Sequence, residues 1–538
     1  MRPLPDDVLR GLFEFCRVDD IIPSILDPHI APVLLTHVSR RWQKIAHSTP
    51  KLWSSISITF RRGDKGSSKD HPLNAQDLEE RRLAMQRWLG FSGTCPLSIQ
   101  FVSSDLYAQD EARQFFRFLI GTTPRWQRLS FTSTHGQSEG LPMEFAQALL
   151  SINLPLLETL EFGDFASVIR PNSLLLSGQR LHGVSYLCST HDWSVDCPNQ
   201  LSHLNIRWSY LTSLKLSCGT SRHSLDDYFT VLRRCSSLVN LSITEEHFHP
   251  RTSSPEDLAP VLLPHLQSLS LCLSYSAIET CFHVLNTPAL EDLSFRWHLR
   301  HSHSPDSLSS SLFSFLSMSR LANNNKIRRL ALDPMQLTRV AFYRLLDSFP
   351  FLDELSCRTD FDRETQRFTH ILGTTTSSDD SHLDDTFLQM LSGISSSADL
   401  QSTTHGLAQR RAGVSMRLLP LMPSGCIPVL LPQLTKFACL TRTRFSEEAL
   451  VSFVQAKRPL PPTTVTTSTN AHLSPAMAGP ATTTAVLRYV AFAESRNGHL
   501  GESDLLRASS AKQKLQPFAD DGLVIDIHKY YDVNREGE

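Results

Sequence analysis

Histidines, acidic runs and cysteines are the residues here whose types suit metal or acid–base chemistry. His298, His301 and His303 stand close together, as do His247 and His249. Grouped imidazoles hold zinc when Cys, Asp or Glu at the usual spacing complete a set of three or four ligands. No such set accompanies these, so they read as surface-loop histidines. The stretch Ser377 to Asp385 (SSDDSHLDD) crowds carboxylates but lacks the turn glycine and terminal Glu of a calcium loop. It reads as a solvated acidic segment in which Ser377 or Ser378 offers a phosphorylation site. The eleven cysteines are odd in number, scattered and without a CxxC pair, which fits reduced thiols better than a disulfide framework. Asn240-Leu241-Ser242 matches a glycosylation sequon, but no secretory signal accompanies it. Patterns of the GxxxxGKS/T, GxSxG and HExxH kinds are missing. No catalytic residue, cofactor or metal ligand is therefore assigned, although catalytic triads are spatial arrangements that such motifs do not exhaust.

The first elements placed to bind lie within sixty residues of the start. Pro5 and Asp6 open a helix whose apolar stripe is Val8, Leu9, Leu12, Phe13 and Cys16, with Asp6 and Asp7 at the positive end of its dipole. A loop with Pro23, Pro28 and Pro32 comes next. A second helix is expected to carry Leu34, Leu35, Val38, Trp42 and Ile45 on one face. Ser48-Thr49-Pro50 marks a stop and restart, and Ile56, Ile58 and Phe60 alternate as a strand. Helical stripes of this width in so small a unit present more apolar area than it can bury, which calls for a helical partner. Leu4, Pro5, Val8, Leu12, Phe13, Leu34, Leu35, Val38, Trp42, Ile45 and Trp53 are the expected contacts, the alternative being that Trp42 and Trp53, the latter above all, belong to the module's interior. Arg40 and Arg41 read as solvated.

Beyond residue 60 the chain repeats. An apolar i, i+3, i+5 signature recurs at Trp126-Leu129-Phe131, Leu157-Leu160-Phe162, Leu181-Val184-Tyr186, Leu201-Leu204-Ile206, Leu211-Leu214-Leu216, Leu238-Leu241-Ile243, Leu266-Leu269-Leu271, Leu290-Leu293-Phe295, Ile327-Leu330-Leu332 and Leu352-Leu355-Cys357. A weaker copy sits at Leu434-Phe437-Cys439. Several first positions stand 24 to 28 residues apart, with helical stretches such as Leu225 to Arg234 and Ala341 to Ser348 between them. A strand plus a helix at this period is a solenoid repeat that buries its apolar edge only by stacking on neighbours. The residues flanking the second apolar position then face the other way and form one exposed ladder. Its rungs are Arg128/Ser130, Thr159/Glu161, His203/Asn205, Ser213/Lys215, Asn240/Ser242, Ser268/Ser270, Asp292/Ser294, Arg329/Ala331 and Glu354/Ser356. Mixed charge and abundant serine suit a protein ligand better than nucleic acid.

The whole composition lies within the globular range. The 538 residues are 41% hydrophobic and 20% charged, enough for a large core. Lys+Arg 52 against Asp+Glu 54 leaves a net charge of -2, which gives no general attraction for phosphate backbones or anionic membranes. With no signal-peptide core and no run of about 18 apolar residues, a soluble protein of the cytoplasm or nucleus is expected.

LPDDVLRGLFEFC, APVLLTHVSRRWQKIA and STPKLWSSI together resemble the F-box motif, in the version common in proteins of mushroom-forming fungi. The likeness covers about Leu4 to Ile58, and the Leu-rich region beyond it is similar to the repeat half of such proteins. The repeats depart from regular leucine-rich repeats in lacking the Asn after LxxLxL: beyond Leu269 and Leu271 the equivalent position is Ser274. The resemblance implies an α/β fold, with a small helical F-box followed by an irregular leucine-rich-repeat solenoid, parallel strands inside and helices outside. Its divisions would be an F-box over 1–60, repeats over 61–360, a flexible polar insertion over 361–428 and a further repeat over 429–458. A Thr/Pro-rich linker over 459–485 and closing strands over 486–538 would complete it. The implied role is a non-catalytic substrate-receptor adaptor of a Skp–cullin–F-box type ubiquitin ligase. Its F-box would dock a Skp-family linker protein, and through it a cullin, while the repeats hold an unidentified target protein. On that reading Asn240, Ser242, Ser268, Ser270, Asp292, Ser294, Arg329 and Glu354 belong to the target-binding face. The alternatives are a repeat scaffold acting outside any ligase, and an enzyme built on loops of the 361–428 segment.

Overall fold

In a computed structural model of the full chain, the residues described are 4–16, 28–60, 75–103, 117–133, 152–162, 174–188, 201–218, 225–245, 258–298, 310–317, 326–334, 337, 339–358, 383–392, 431–440, 445–458, 486–495 and 513–530. The fold is α/β, with parallel strands and intervening helices stacked in the manner of a solenoid. It divides into two compact units, Met1–Ala289 and Leu290–Glu538.

The first unit begins with helices α1 (Asp6–Phe15), α2 (Val33–Val38) and α3 (Arg40–His47), and a short 3-10 turn over Pro50–Trp53. The single second helix expected from the sequence is in fact two. Ser39 is extended (φ -162°, ψ 161°) and its Oγ accepts the Trp42 N–H at 3.2 Å, so it caps α3 and breaks the run. Leu34 and Val38 therefore do not share a face with Trp42 and Ile45. A long helix, α4 (Ala75–Phe91), absent from the elements expected above, packs on the 3-10 turn.

Eight parallel strands succeed one another by register in this unit: β1 (Ser55–Phe60), β2 (Leu97–Ser103), β3 (Trp126–Ser133), β4 (Thr159–Phe162), β5 (Gly183–Cys188), β6 (Ser213–Cys218), β7 (Asn240–Glu245) and β9 (Ser268–Ser274). A two-residue strand, β8 (Val261–Leu262), pairs with β10 (Leu285–Asn286) beside them. The inward row is Ile56, Ile99, Leu129, Leu160, Val184, Leu214, Leu241 and Leu269, each in register with the next and buried. In the second unit β11 (Asp292–His298), β12 (Arg329–Leu332), β13 (Glu354–Arg358), β14 (Lys436–Leu440), β15 (Tyr489–Ser495) and β16 (Val524–Tyr530) pair in the same way, with Leu293, Leu330, Leu355, Phe437 and Val490 inward.

One local device recurs at strand after strand. The first apolar residue of the signature closes a tight turn by donating its N–H three residues back: Leu157 to Leu154, Leu181 to Gly178, Leu238 to Cys235, Leu352 to Phe349, Leu434 to Leu431. The next two N–H groups then share one carbonyl of the preceding repeat. His182 and Gly183 donate to Glu158, Thr212 and Ser213 to His182, Val239 and Asn240 to Thr212, Asp353 and Glu354 to Arg328. Backbone polar groups at these strand entries are thus satisfied by the neighbouring repeat, which fixes the register.

Two expectations fail here. Leu201-Leu204-Ile206 is not a strand. Residues Leu201–His203 form a 3-10 turn, and the His182 carbonyl is already taken by the next strand, so β5 pairs with β6 directly. The apolar pattern at 201–206 is real burial without strand geometry. The polar stretch 361–428 is also not uniformly without structure. Helix Asp385–Ser392 buries Phe387, Leu388 and Leu391, and the Phe387 ring lies 5.5 Å from that of Phe342 and 6.3 Å from that of Phe437. The rest of that segment outside 383–392, and all of 459–485, lie outside the described residues.

Candidate functional site

The first candidate surface is built by α1, α2 and α3. Leu9 and Phe13 turn inward from α1, Leu35 from α2, and Ile45 and Ala46 from α3. Phe13 meets the half-buried Trp42 ring at 4.9 Å. Trp53 is buried, donates its indole N–H to the Ala46 carbonyl at 2.8 Å, and packs edge-on against Trp88 of α4 at 4.9 Å. Phe13, Leu35, Ile45 and Trp53, expected among the contacts, are therefore the module's core, because three short helices need large inward side chains to hold together. Leu4, Pro5, Val8, Leu12, Leu34 and Val38 do lie at the surface; Leu12 is 47% exposed and Val38 55%. Phe15, 89% exposed, and Ile30 were not among the expected contacts, and they add to the same class of uncovered apolar residue. The width of the α1 stripe, too broad for one buried face, is the signal in the sequence that separates inward from outward residues.

Arg41, read as solvated, ties the module together. Its guanidinium donates to Asp6 Oδ1 from Nε (3.0 Å) and Nη2 (2.6 Å), and to the Leu4 carbonyl. Lys51 adds a second pair with Glu14 at 3.4 Å. Both carboxylates belong to α1, so this helix is held to α3 and to the 3-10 turn by charge as well as by Phe13.

The second candidate surface is the outward face of the strands. Register places Ser55/Ser57, Ser98/Gln100, Arg128/Ser130, Thr159/Glu161, Gly183/Ser185, Ser213/Lys215, Asn240/Ser242 and Ser268/Ser270 side by side in the first unit. The rung expected at His203/Asn205 is replaced by Gly183/Ser185, since 203–205 is not a strand. Ser130 donates to Glu161 Oε2 at 2.6 Å, while Arg128 and Lys215 are exposed and form no ion pair among the described residues. The second unit differs. Asp292, Arg329, Glu354 and Lys436 stand in one register row, Arg329 pairing Nε and Nη2 with the Asp292 carboxylate and Lys436 reaching Glu354 at 3.5 Å. Asp292 and Arg329 are thus engaged with each other and Glu354 with Lys436, and Ser294 stands in the neighbouring row.

Groups suited to catalysis or metal binding are few. Among the described residues no three His, Cys, Asp or Glu side chains gather closely enough to hold a metal ion. The histidines at 247, 249, 301 and 303, and Ser377 and Ser378, fall outside the described residues. Burial pushes the Cys235 thiol up to about 12, and Cys357, in register with Cys439, is raised as well, so neither is a thiolate at neutral pH. Among the described residues no helix is long and apolar enough to cross a membrane.

No model of a known protein family matches the sequence, and no curated protein matches it.

Proposed function

We propose that the protein is a substrate-receptor adaptor of a Skp–cullin–F-box type ubiquitin ligase, with α1 to α3 as its F-box and the stacked strands as an irregular leucine-rich-repeat solenoid. The observation that carries this reading is the division of apolar residues among the three helices. Leu9, Phe13, Leu35 and Ile45 already fill the interior, yet Leu12, Leu34 and Val38 remain outside. Uncovered apolar residues of that size on a small helical unit favour a partner protein. A Skp-family linker, and through it a cullin, is the partner that the sequence resemblance supplies. The repeats hold a target protein, and the adaptor acts by raising the target's local concentration at the transferring enzyme. The hydroxyl- and amide-rich rungs of the first unit, Asn240, Ser242, Ser268 and Ser270 among them, suit that task better than the self-paired row of the second.

The test is a pull-down of the full chain with a Skp-family linker, comparing wild type with Leu12→Asp/Val38→Asp. Both positions are exposed, so the variant keeps the core that Phe13 and Trp42 support, and its melting curve checks this. Linker binding lost in the folded variant is the expected result. Undiminished binding, or none by the wild type, overturns the reading, and linker retained without any cullin would make the chain a scaffold instead.

A further inference from the structure

The outer side of α3 carries charge that the chain leaves unanswered. Arg40, Gln43, Lys44 and His47 succeed one another at helical spacing and, with Ser48, form a shallow, open surface that contains no carboxylate. One edge is fixed: the His47 ring stacks on Phe91 at 4.1 Å and lies 5.8 Å from Trp53. The neighbouring cations Arg41 and Lys51 are paired with Asp6 and Glu14. Arg40 and Lys44, one turn apart and exposed, form no ion pair among the described residues. Like charges at this spacing repel. Lys44 gains from the negative end of the helix dipole, but Arg40 opens the helix, where a cation is disfavoured. An anionic group from outside the chain would answer both charges at once.

We propose that this surface binds an acidic segment of a partner protein, its carboxylates taken by the Arg40 fork and the Lys44 ammonium, with the Gln43 amide and the His47 ring as neutral donors. Two cations are too few to hold a nucleic-acid backbone or an anionic membrane, where affinity comes from several contacts. They match one or two carboxylates, the polar rim that surrounds an apolar contact in protein interfaces. The site begins two positions beyond Val38, the last residue of the exposed apolar set. It does not depend on which protein covers that set.

The experiment uses the full chain and a fluorescein-labelled hexaglutamate peptide, followed by fluorescence anisotropy. Binding at low salt is expected to weaken roughly tenfold in Arg40→Gln/Lys44→Gln and to fade as salt rises from about 50 to about 200 mM. The charge-keeping Arg40→Lys/Lys44→Arg is expected to retain it. Arg180→Gln/Arg344→Gln, which removes two exposed cations outside both candidate surfaces, is expected to leave it unchanged. Equal binding by the first variant and wild type, equal loss in the control variant, or no binding by wild type overturns the proposal. Displacement of the peptide by inorganic phosphate at the same concentration of charge would also overturn it, leaving a simple oxyanion site. A linker pull-down with the same variants separates this outcome from that of the adaptor reading.

Discussion

Glu245 ends β7 with its carboxyl wholly inside the first unit, and neither oxygen has a hydrogen-bond partner in geometry. Burial dominates and pushes the group up to about 9 from 4.5, although the nearby Tyr228 hydroxyl favours the charged form slightly. The folded chain therefore keeps a proton that the unfolded chain gives up. The stability this group allows is full below about pH 4.5 and is lost progressively as pH rises to about 9. Glu245→Gln should raise stability by roughly 3 kcal/mol at pH 7, with a gain that disappears near pH 4.5, as read from denaturant midpoints across pH. Period-two alternation after Leu241 and Ile243 already puts residue 245 inward; only the closed interior makes that position dry. Gly183 is a second residue whose reason lies in its neighbour. A Cβ there would lie 2.9 Å from Thr159 Cγ2 on the adjoining strand. Gly183→Ala is expected to cost about 1 kcal/mol, and Thr159→Ala in the same chain to remove most of that cost in a double-mutant cycle.

At the scale of elements, the N-terminal helices show how far pattern goes. The α1 start at Asp6 and the restart at Pro50 follow from proline and dipole chemistry legible in the sequence. The division of α2 from α3 turns on one Ser39 side chain finding the Trp42 N–H, and the orientation of α1 turns on Arg41 reaching thirty-five residues back to Asp6. Spacing along one helix does not encode a contact of that length. Arg41→Ala is expected to cost about 1 kcal/mol, since both partners are half exposed and solvent screens the pair. Its coupling with Asp6→Ala should come to about half of that, and the rest should reflect the lost Leu4 carbonyl contact. Urea denaturation of the two single variants and the double variant measures both. In the strands, the paired row Asp292, Arg329, Glu354 and Lys436 stabilises the sheet across its register, which is a different use of charge from ligand binding.

Across the molecule, the two units carry buried ionisable groups of opposite sign. Lys457 in the second is only 4% exposed, donates to the Leu431 carbonyl at 2.9 Å, and is lowered by burial to about 8 from 10.5. Its folded form sheds a proton first, so the stability it permits is present above about pH 10.5 and lost as pH falls through about 8. Hydrogen exchange, corrected for intrinsic rates, should show protection at 225–245 falling between pH 5 and 9, and at 447–457 rising between pH 8 and 10.5. The same trend in both segments would contradict the opposite signs of the two groups. The alternating strands, their stacking period, their resumption at 434 and 489, and the apolar stripes of α1 and α2 are all legible in the bare chain, because side-chain parity and helical spacing are local properties. Folding in three dimensions settles the remainder: which apolar residues of those helices stay outside, which charged rungs neutralise one another, that 201–206 is passed over, and that 385–392 joins the core. Each of these depends on a neighbour far along the chain, as when Thr435 bonds to Asp353 across 82 residues, and burial is set by what arrives to cover a surface.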